Sequence, residues 1–281
     1  MGPIIPPSLM FILYGSIAQV SIKDMFLAGA LPGLMVGIAQ MGVVWLYGRK
    51  NDLPRREERI TPKEGFSIVG KAFYAILLPI IILGGILMGI VSPTEAAVIA
   101  VFYSIFIAVF VYRSLTWKKL MGVLKDSTVE TGSVSIIIAA AAIFGWALSN
   151  EQLPMIFAEY LVENIESTWL ILLLINVLLF FLGMFMDSVP ALMIVTPVFL
   201  PLFDMMGIDP LHAGIFMCVN LITGLATPPV GCCLFATSII SGSPMEKISK
   251  AILPFILANI IIVLLITYIP GITLFLPSLF N

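Results

Sequence analysis

A short stretch of the chain, residues 224–231, combines the residue types that expose backbone oxygens. It reads Gly-Leu-Ala-Thr-Pro-Pro-Val-Gly within an otherwise apolar run. The prolines remove backbone donors and clash with the preceding helical turn, and the glycines allow unusual dihedral angles, so a helix has to break here. The freed carbonyls and the Thr227 hydroxyl are hard oxygen ligands, which suit a small cation. The pattern predicts a broken helix with a candidate cation site, the alternative being a proline kink used only for packing.

The same chemistry recurs at residues 2–8, which read Gly-Pro-Ile-Ile-Pro-Pro-Ser. A shift of 222 residues, without a gap, places Pro6 and Pro7 of this motif on Pro228 and Pro229. The two copies are expected to cross the membrane in opposite directions, and inverted repeats are typical of transporters. A large block, residues 73–223, precedes the second copy and has almost no counterpart before the first. We therefore expect most of the first repeat to be missing from this chain; the alternative is a natural half-protein that assembles with a partner chain.

A second candidate site lies in the apolar stretch 168–206. Asp187 is its deeply placed carboxylate, and Gly183 and Pro190 bracket it. The sequence therefore predicts two half-length helices that meet at a polar tip, forming a re-entrant hairpin. Because an ionisable residue at this depth is a functional candidate, Asp187 and Ser188 are expected to ligate or support Na⁺, or to carry a proton. The alternative, compatible with these, is that Asp187 caps the second helix.

Other polar features have structural explanations. The segment Ser92-Pro93-Thr94-Glu95 is a typical helix start, with a capping serine and a glutamate that can reach back to it. His212 follows a proline at a helix start and is interpreted as structural. An odd number of cysteines, two of them adjacent, argues against a disulfide framework, and a single histidine without a His/Cys cluster argues against a zinc or haem site.

The composition indicates a membrane protein. Of the 281 residues, 60% are apolar and 11% are charged, against roughly 25% charged in soluble domains, and the mean hydropathy is +1.12. Membrane lipid is therefore the main surrounding, and a net charge of −2 gives no nucleic-acid footprint. No Walker motif is present, and one buried aspartate is too little for a membrane-embedded enzyme, so we expect no enzymatic activity.

Five apolar stretches are long enough to span the membrane on their own. Basic residues concentrate on one side, which predicts that the loops at 49–72, 113–127 and 241–250 are cytoplasmic and that Asn281 is outside. The loop 49–72 is read either as a solvated loop or as one carrying an interfacial helix. The five spans are 25–48, 73–91, 94–112, 128–148 and 251–276, and the shorter or broken stretches are 8–20, 168–184, 189–206 and 211–240.

Four motifs in this order resemble the large membrane subunit of TRAP transporters, the DctM-like family. They lie at residues 2–8, 92–97 (Ser-Pro-Thr-Glu-Ala-Ala), 183–190 and 227–231 (Thr-Pro-Pro-Val-Gly). The resemblance covers the whole chain. It implies an elevator-type member of the ion-transporter superfamily in the bacterial inner membrane. It also implies a small membrane subunit and a periplasmic substrate-binding protein as partners, and import of organic acids with Na⁺ as the coupling ion.

The resemblance also assigns roles to individual residues. Asp187 resembles the acid at the hairpin tip, and Asp187, Ser188 and Pro229 are expected to contact the carboxylate substrate. The backbone ligands of one Na⁺ site would be Gly2, Ile5 and Pro6, and those of the second would be Gly183, Gly224, Thr227 and Val230.

The predicted fold is therefore an all-α polytopic membrane protein, an inverted-repeat elevator-type transporter with broken helices and a re-entrant hairpin, its first repeat largely missing. The predicted function is the membrane subunit of a Na⁺-coupled, binding-protein-dependent importer of small organic acids. The alternative is a non-transporting scaffold or an inactive fragment. Four segments are predicted. Residues 1–20 form the second half of the first broken helix, and residues 21–127 form scaffold-type helices with loop 49–72. Residues 128–242 form the second-repeat transport domain, with hairpin 168–206 and broken helix 211–240, and residues 243–281 form a C-terminal transmembrane helix.

Overall fold

The computed structural model of the chain describes residues 2–50 and 62–280, and every regular element within these ranges is helical. A π-helical turn, Ile107–Val111, continues the fourth helix. The α-helices are α1 (Leu9–Ala18), α2 (Ile22–Lys50), α3 (Pro62–Leu87), α4 (Pro93–Phe106), α5 (Trp117–Asn150), α6 (Leu153–Asn164), α7 (Thr168–Phe185), α8 (Ser188–Met205), α9 (Pro210–Leu225), α10 (Cys232–Ser241), α11 (Met245–Tyr268) and α12 (Pro270–Phe280).

Six helices of the described part are long and apolar enough to cross a membrane: α2, α4 with its π-helical turn, α5, α7, α8 and α11. Large apolar side chains are widely exposed on them, for example Phe102 and Ile143, each at 70% exposure. Such a surface is unfavourable in water and favourable in lipid. The predicted all-helical, polytopic membrane architecture is confirmed at this level.

Several predicted boundaries were wrong. The expected loop 113–127 is helical from Trp117 onward, because the lysine-rich segment continues the helix beyond its apolar part. The expected span 251–276 is two helices, because α11 ends at Tyr268 and Pro270, which has no N–H group, starts α12. Helix α6 was not predicted, since its acidic residues lower its hydropathy.

The region around the predicted cytoplasmic loop 49–72 is only partly described. Residues 51–61 lie outside the described ranges, as does Asn281, whose predicted outer position is therefore not addressed. Helix α3 begins at Pro62, so the segment 65–69 is the first part of the helix that continues into the predicted span 73–91. The helical interpretation of this segment is correct, but it is not a separate element.

The chain divides into two compact units, Met1–Tyr47 with Ile136–Asn281 and Gly48–Ser135. In the second unit, α3 and α4 pack together, and the Tyr103 hydroxyl donates to the Tyr74 carbonyl at 2.9 Å. The predicted start of α4 is confirmed. Ser92 accepts from the Glu95 N–H at 3.3 Å, and the Glu95 carboxylate accepts from the Ser92 N–H at 2.7 Å, which is a complete capping box.

The first unit is built around α9, in which every residue from 211 to 224 is buried. Helices α7 and α9 run in the same direction, because Asn176 lies beside Asn220 and Gly183 lies beside Gly224. A short turn reverses the chain between α8 and α9, so α8 is antiparallel to both. Helix α9 thus packs against both arms of the α7–α8 hairpin, and α1, α11 and α12 also pack on it.

Helix α1 packs along α9 in the opposite direction. The Tyr14 hydroxyl donates to the Pro210 carbonyl at 2.7 Å, and a Cβ atom on Gly214 would lie 2.2 Å from the Tyr14 ring. The Cys218 thiol lies 3.8 Å from the Met10 carbonyl. Since both helices advance about 1.5 Å per residue, the start of α1 lies near the level at which α9 ends.

Candidate functional site

The predicted helix break is present between α9 and α10. Helix α9 ends at Leu225 and α10 begins at Cys232, leaving residues 226–231 non-helical. The Pro228–Pro229 peptide bond is cis, as is Pro6–Pro7 in the first copy of the motif. Gly231 has a φ of 42°, in the left-handed region that glycine adopts readily.

Two backbone oxygens of the break converge on one point. A Cβ atom on Gly231 would lie 2.7 Å from the Thr227 carbonyl oxygen and 3.2 Å from the Leu225 carbonyl oxygen. Among the described residues, no donor bonds to either oxygen. The Thr227 side chain is 6% exposed, and its hydroxyl donates to the Thr223 carbonyl at 2.9 Å, which leaves lone pairs for a cation. This donor set fits a small hard cation such as Na⁺.

The hairpin tip lies against this break, as predicted. Helix α7 ends at Phe185 and α8 begins at Ser188, so the two arms meet at residues 186–187. The Gly231 N–H donates to the Met184 carbonyl at 3.2 Å, which places the tip within one helical turn of the converging oxygens. The juxtaposition of tip and break is confirmed, whereas the assignment of ligands stays a prediction.

Asp187 caps α8, as the alternative interpretation expected. Its Oδ1 accepts from the Val189 N–H at 3.0 Å. No donor in the described part of the chain bonds to its second oxygen, Oδ2, and the residue is exposed. Of the other two predicted substrate contacts, Pro229 is exposed and Ser188 is buried at 6% exposure. Asp187 and Pro229 are therefore accessible to a ligand, whereas the buried Ser188 is not.

Gly183 and Gly224 have a packing role in addition to the predicted ligand role. A Cβ atom on Gly183 would lie 2.7 Å from the Leu221 carbonyl, and one on Gly224 would lie 2.8 Å from the backbone of Gly183. The two glycines thus allow α7 and α9 to approach at backbone distance. The Gly224 carbonyl already accepts the Thr227 N–H at 2.8 Å. Among the predicted ligands at this break, Gly183, Thr227 and Val230 have carbonyls to which no described donor bonds.

The first copy of the motif has a similar open backbone. No described donor bonds to the carbonyls of Ile5 and Pro6, whereas the Ser8 hydroxyl donates to Pro3 at 2.5 Å. Pro6 is buried, Ile5 is 46% exposed, and Gly2 is exposed. These segments lie near the level of the second break along α9.

The electrostatics of the site follow from its helix ends. Helices α7 and α9 end here with unpaired carbonyls, and α8 and α10 begin here with N–H groups. The C-terminal ends carry partial negative charge, which favours a cation. The N-terminal ends carry partial positive charge, which favours a carboxylate. The site therefore presents both polarities without a lysine or arginine side chain.

Sequence reasoning missed two features. The Leu225 carbonyl was not predicted as a ligand, because every residue type carries the same carbonyl and the side chain gives no signal. A buried hydrogen-bonded cluster of Asn176, Asn220 and Thr267 was also missed. Polar residues inside long apolar runs were the available signal. The structural interpretation of His212 fits its two bonds, to the Thr273 hydroxyl at 2.8 Å and the Thr267 carbonyl at 3.1 Å.

Comparison with known proteins identifies the family. Residues 1–272 match the model of the tripartite ATP-independent periplasmic transporter, DctM component. The chain belongs to this family. It is accordingly a multi-pass protein of the bacterial inner membrane, which confirms the resemblance seen in the sequence.

Individual members are similar over nearly the whole chain. The C4-dicarboxylate TRAP transporter large permease protein DctM of Pseudomonas aeruginosa is 38% identical over 278 residues, covering 99% of this chain and 65% of the relative. The sialic acid TRAP transporter large permease protein SiaM of Vibrio cholerae is 36% identical over 283 residues, covering 100% and 65%. The isethionate TRAP transporter permease protein DctMQ of Oleidesulfovibrio alaskensis is 38% identical over 275 residues, covering 98% and 43%. The chain thus spans less than two-thirds of the length of these family members.

Proposed function

We propose that this chain is part of a Na⁺-coupled secondary transporter that imports small organic acids. The carrying observation is the convergence of the Leu225 and Thr227 carbonyl oxygens beside the hairpin tip, at the meeting point of four helix ends. Cation binding there neutralises the carbonyl-rich side, and the N-terminal ends of α8 and α10 favour the substrate carboxylate. The two ligands then bind next to each other, which couples the substrate to the ion gradient.

The partners and the substrate class follow from the family. We propose that the chain works with a small membrane subunit and a periplasmic substrate-binding protein. The named substrates of its relatives include C4-dicarboxylates, sialic acid and the sulfonate isethionate. All three are organic anions, which supports an organic acid as the cargo. The fused relative DctMQ supports a close association with the small subunit.

The membrane arrangement that we propose is an inverted repeat with a re-entrant hairpin and an elevator-type movement. Helices α7 and α8 have 18 residues each, which is about long enough to span. However, their tip contacts a break that interrupts the continuous stretch from α9 to α10. A tip at that depth supports a hairpin that turns back within the membrane and does not reach the opposite side.

Two substitutions test the proposal in the complete transporter, with both partner subunits present. Thr227→Ala removes a hydroxyl ligand, and Asp187→Asn removes the tip charge but keeps the capping oxygen, because Asn and Asp cap about equally well. We expect both variants to insert normally and to need about tenfold more Na⁺ for half-maximal uptake, which corresponds to about 1.4 kcal/mol of lost Na⁺ binding.

The control is Ser104→Ala, a change in α4 of the other compact unit. Uptake is measured in proteoliposomes against a Na⁺ gradient. If Asp187→Asn leaves the Na⁺ dependence of uptake unchanged, Asp187 serves only as a helix cap. If Thr227→Ala also leaves it unchanged, or if uptake does not depend on Na⁺, the proposed cation site is refuted.

A further inference from the structure

The first unit contains a buried amide network formed by Asn176 of α7, Asn220 of α9 and Thr267 of α11. The exposed fractions of these residues are 4%, 2% and 1%. The Asn220 Nδ2 donates to the Asn176 Oδ1 at 2.7 Å and to the Asn176 carbonyl at 2.9 Å. The Asn176 Nδ2 lies 3.2 Å from the Thr267 hydroxyl, which completes a link across three helices.

This network lies outside the candidate ion site and is not needed for packing alone. The residues beside it in α7 and α11 include Val177, Phe180 and Val263, which are apolar. Burying amide groups among such side chains carries a desolvation cost. Buried amides inside a membrane protein are expensive and are retained for a specific purpose more often than for stability. Because the hydrogen bonds among these side chains join three helices, we infer that the purpose of this group is the geometry it imposes.

The position of the network suggests which geometry is imposed. Asn220 lies one helical turn before Gly224, and Asn176 lies two turns before Gly183. Helices α7 and α9 are therefore joined at two points: by amide hydrogen bonds and, nearer the break, by the contact between the two glycines. Two joined points fix both the sliding and the relative rotation of the helices, whereas one leaves rotation free.

We propose that Asn176, Asn220 and Thr267 are positioning residues that hold α7 and α9 in register and thereby set the affinity of the break for Na⁺. Helix α7 supplies the hairpin tip, and α9 supplies the Leu225 and Thr227 oxygens. An ion site tolerates displacements of only about 0.5 Å in its ligands. The Thr267 hydroxyl anchors the pair to α11, which prevents α7 and α9 from shifting together. This inference rests on the proposed Na⁺ coupling.

Thr267 offers a clean test because two substitutions separate its hydroxyl from its shape. Thr267→Val removes the hydroxyl and keeps the branched side chain, whereas Thr267→Ser keeps the hydroxyl. Thr196→Val is the matched control. Thr196 is a fully buried threonine of α8, and within the described part of the chain its hydroxyl bonds only to the Leu192 carbonyl of its own helix. Asn220→Gln is a second variant, which keeps the amide but displaces it by one methylene group.

The measurements are the Na⁺ concentration for half-maximal uptake and the maximal uptake per inserted transporter. We expect Thr267→Val and Asn220→Gln to raise the half-saturating Na⁺ concentration by about three- to tenfold and to keep the maximal rate. Thr267→Ser and Thr196→Val should stay within about twofold of the native value. A purely structural role would lower the amount of inserted protein or the maximal rate and leave the Na⁺ dependence of the inserted fraction unchanged.

These variants distinguish a failure of the positioning role from a failure of the proposed Na⁺ coupling. An altered Na⁺ dependence in Thr227→Ala, with none in Thr267→Val and Asn220→Gln, overturns the positioning role only. An equal shift in Thr196→Val also overturns it, because loss of any buried hydroxyl would then be sufficient. Uptake that does not depend on Na⁺ overturns both proposals.

Discussion

At the scale of single residues, Asp187 caps a helix and also has a proposed role in ligand binding. One carboxylate oxygen caps α8, and no donor of the described residues bonds to the other. Capping fixes the rotamer of the side chain, so the second oxygen is held in a defined position at the tip. The structural and functional interpretations of this residue therefore support each other, and only the loss of charge separates them.

The contact between Gly183 and Gly224 carries a second prediction. A methyl group on Gly224 would lie 2.8 Å from backbone atoms of Gly183 and Phe180, which cannot move aside as a side chain can. We expect Gly224→Ala to push α7 away from α9, and to lower both the thermal stability of the purified transporter and its Na⁺ affinity. The melting temperature, measured with and without Na⁺, reports both quantities.

Gly145→Ala is the matched control for this substitution. Gly145 lies in α5, and a Cβ atom there would be 3.7 Å from the Pro197 side chain, which is an ordinary van der Waals distance. Alanine also has the higher helix propensity. We expect a melting temperature equal to or above that of the native protein. A destabilisation as large as that of Gly224→Ala would mean that the α7–α9 contact is not special.

At the scale of helices, prolines predicted a helix break reliably only where two were adjacent and flanked by glycines. The paired prolines with flanking glycines marked the break of residues 226–231 correctly. Single prolines did not behave uniformly: Pro32 and Pro254 lie inside continuous helices, whereas Pro270 begins a new one. A lone proline can be absorbed by a kink when neighbouring helices satisfy the freed carbonyl, and this depends on tertiary contacts that the sequence does not display.

The sequence predicted the local features of the candidate site but not those that depend on tertiary structure. Residue types located the break, the tip and the acid, because backbone opening and capping are local effects. The convergence of the Leu225 and Thr227 oxygens depends on the dihedral angles across the break. The register of α7 on α9 depends on contacts between residues 44 positions apart. These two features come from tertiary structure, so the sequence could locate the site but could not show which backbone oxygens converge there.

The capping box of α4 gives a prediction for an element. Ser92→Ala removes the side-chain acceptor for the Glu95 N–H, and loss of such a cap costs about 1 kcal/mol. We expect amide hydrogen exchange in the first turn of α4 to accelerate by about fivefold. Ser104→Ala, in the interior of the same helix, should leave exchange in that turn unchanged. Equal protection in Ser92→Ala would show that neighbouring contacts, and not the cap, hold the turn.

At the scale of the whole molecule, the distribution of charge predicts the orientation in the membrane. Lysines and arginines concentrate in the predicted cytoplasmic segments, and the opposite ends of the helices carry mainly acids. The native cysteines are first replaced, and single cysteines are then introduced. We expect cysteines at Ser114 and Ser241 to react with a membrane-impermeant maleimide only from the cytoplasm, and a cysteine at Ser167 only from the periplasm.

For the hairpin itself the informative position is Asp187, because it lies at the tip. If α7 and α8 each crossed the membrane fully, the chain before and after the pair would still lie on one side, but the tip would be exposed on the other. A cysteine at Asp187 should therefore be labelled slowly from both sides in a re-entrant hairpin. Rapid labelling from the cytoplasm alone would contradict that arrangement.

The antiparallel contact between α1 and α9 restricts how the helix breaks at their ends can move relative to each other. The Tyr14 ring fills the notch at Gly214, and its hydroxyl bonds to the Pro210 carbonyl, so neither helix can slide along the other without breaking this joint. A movement of α9 across the membrane would therefore carry both breaks with it. With a cation at each break, as proposed, both ions would face the same compartment at every moment. The two sites would then exchange compartments in the same step of each cycle, whether one or both of them are occupied.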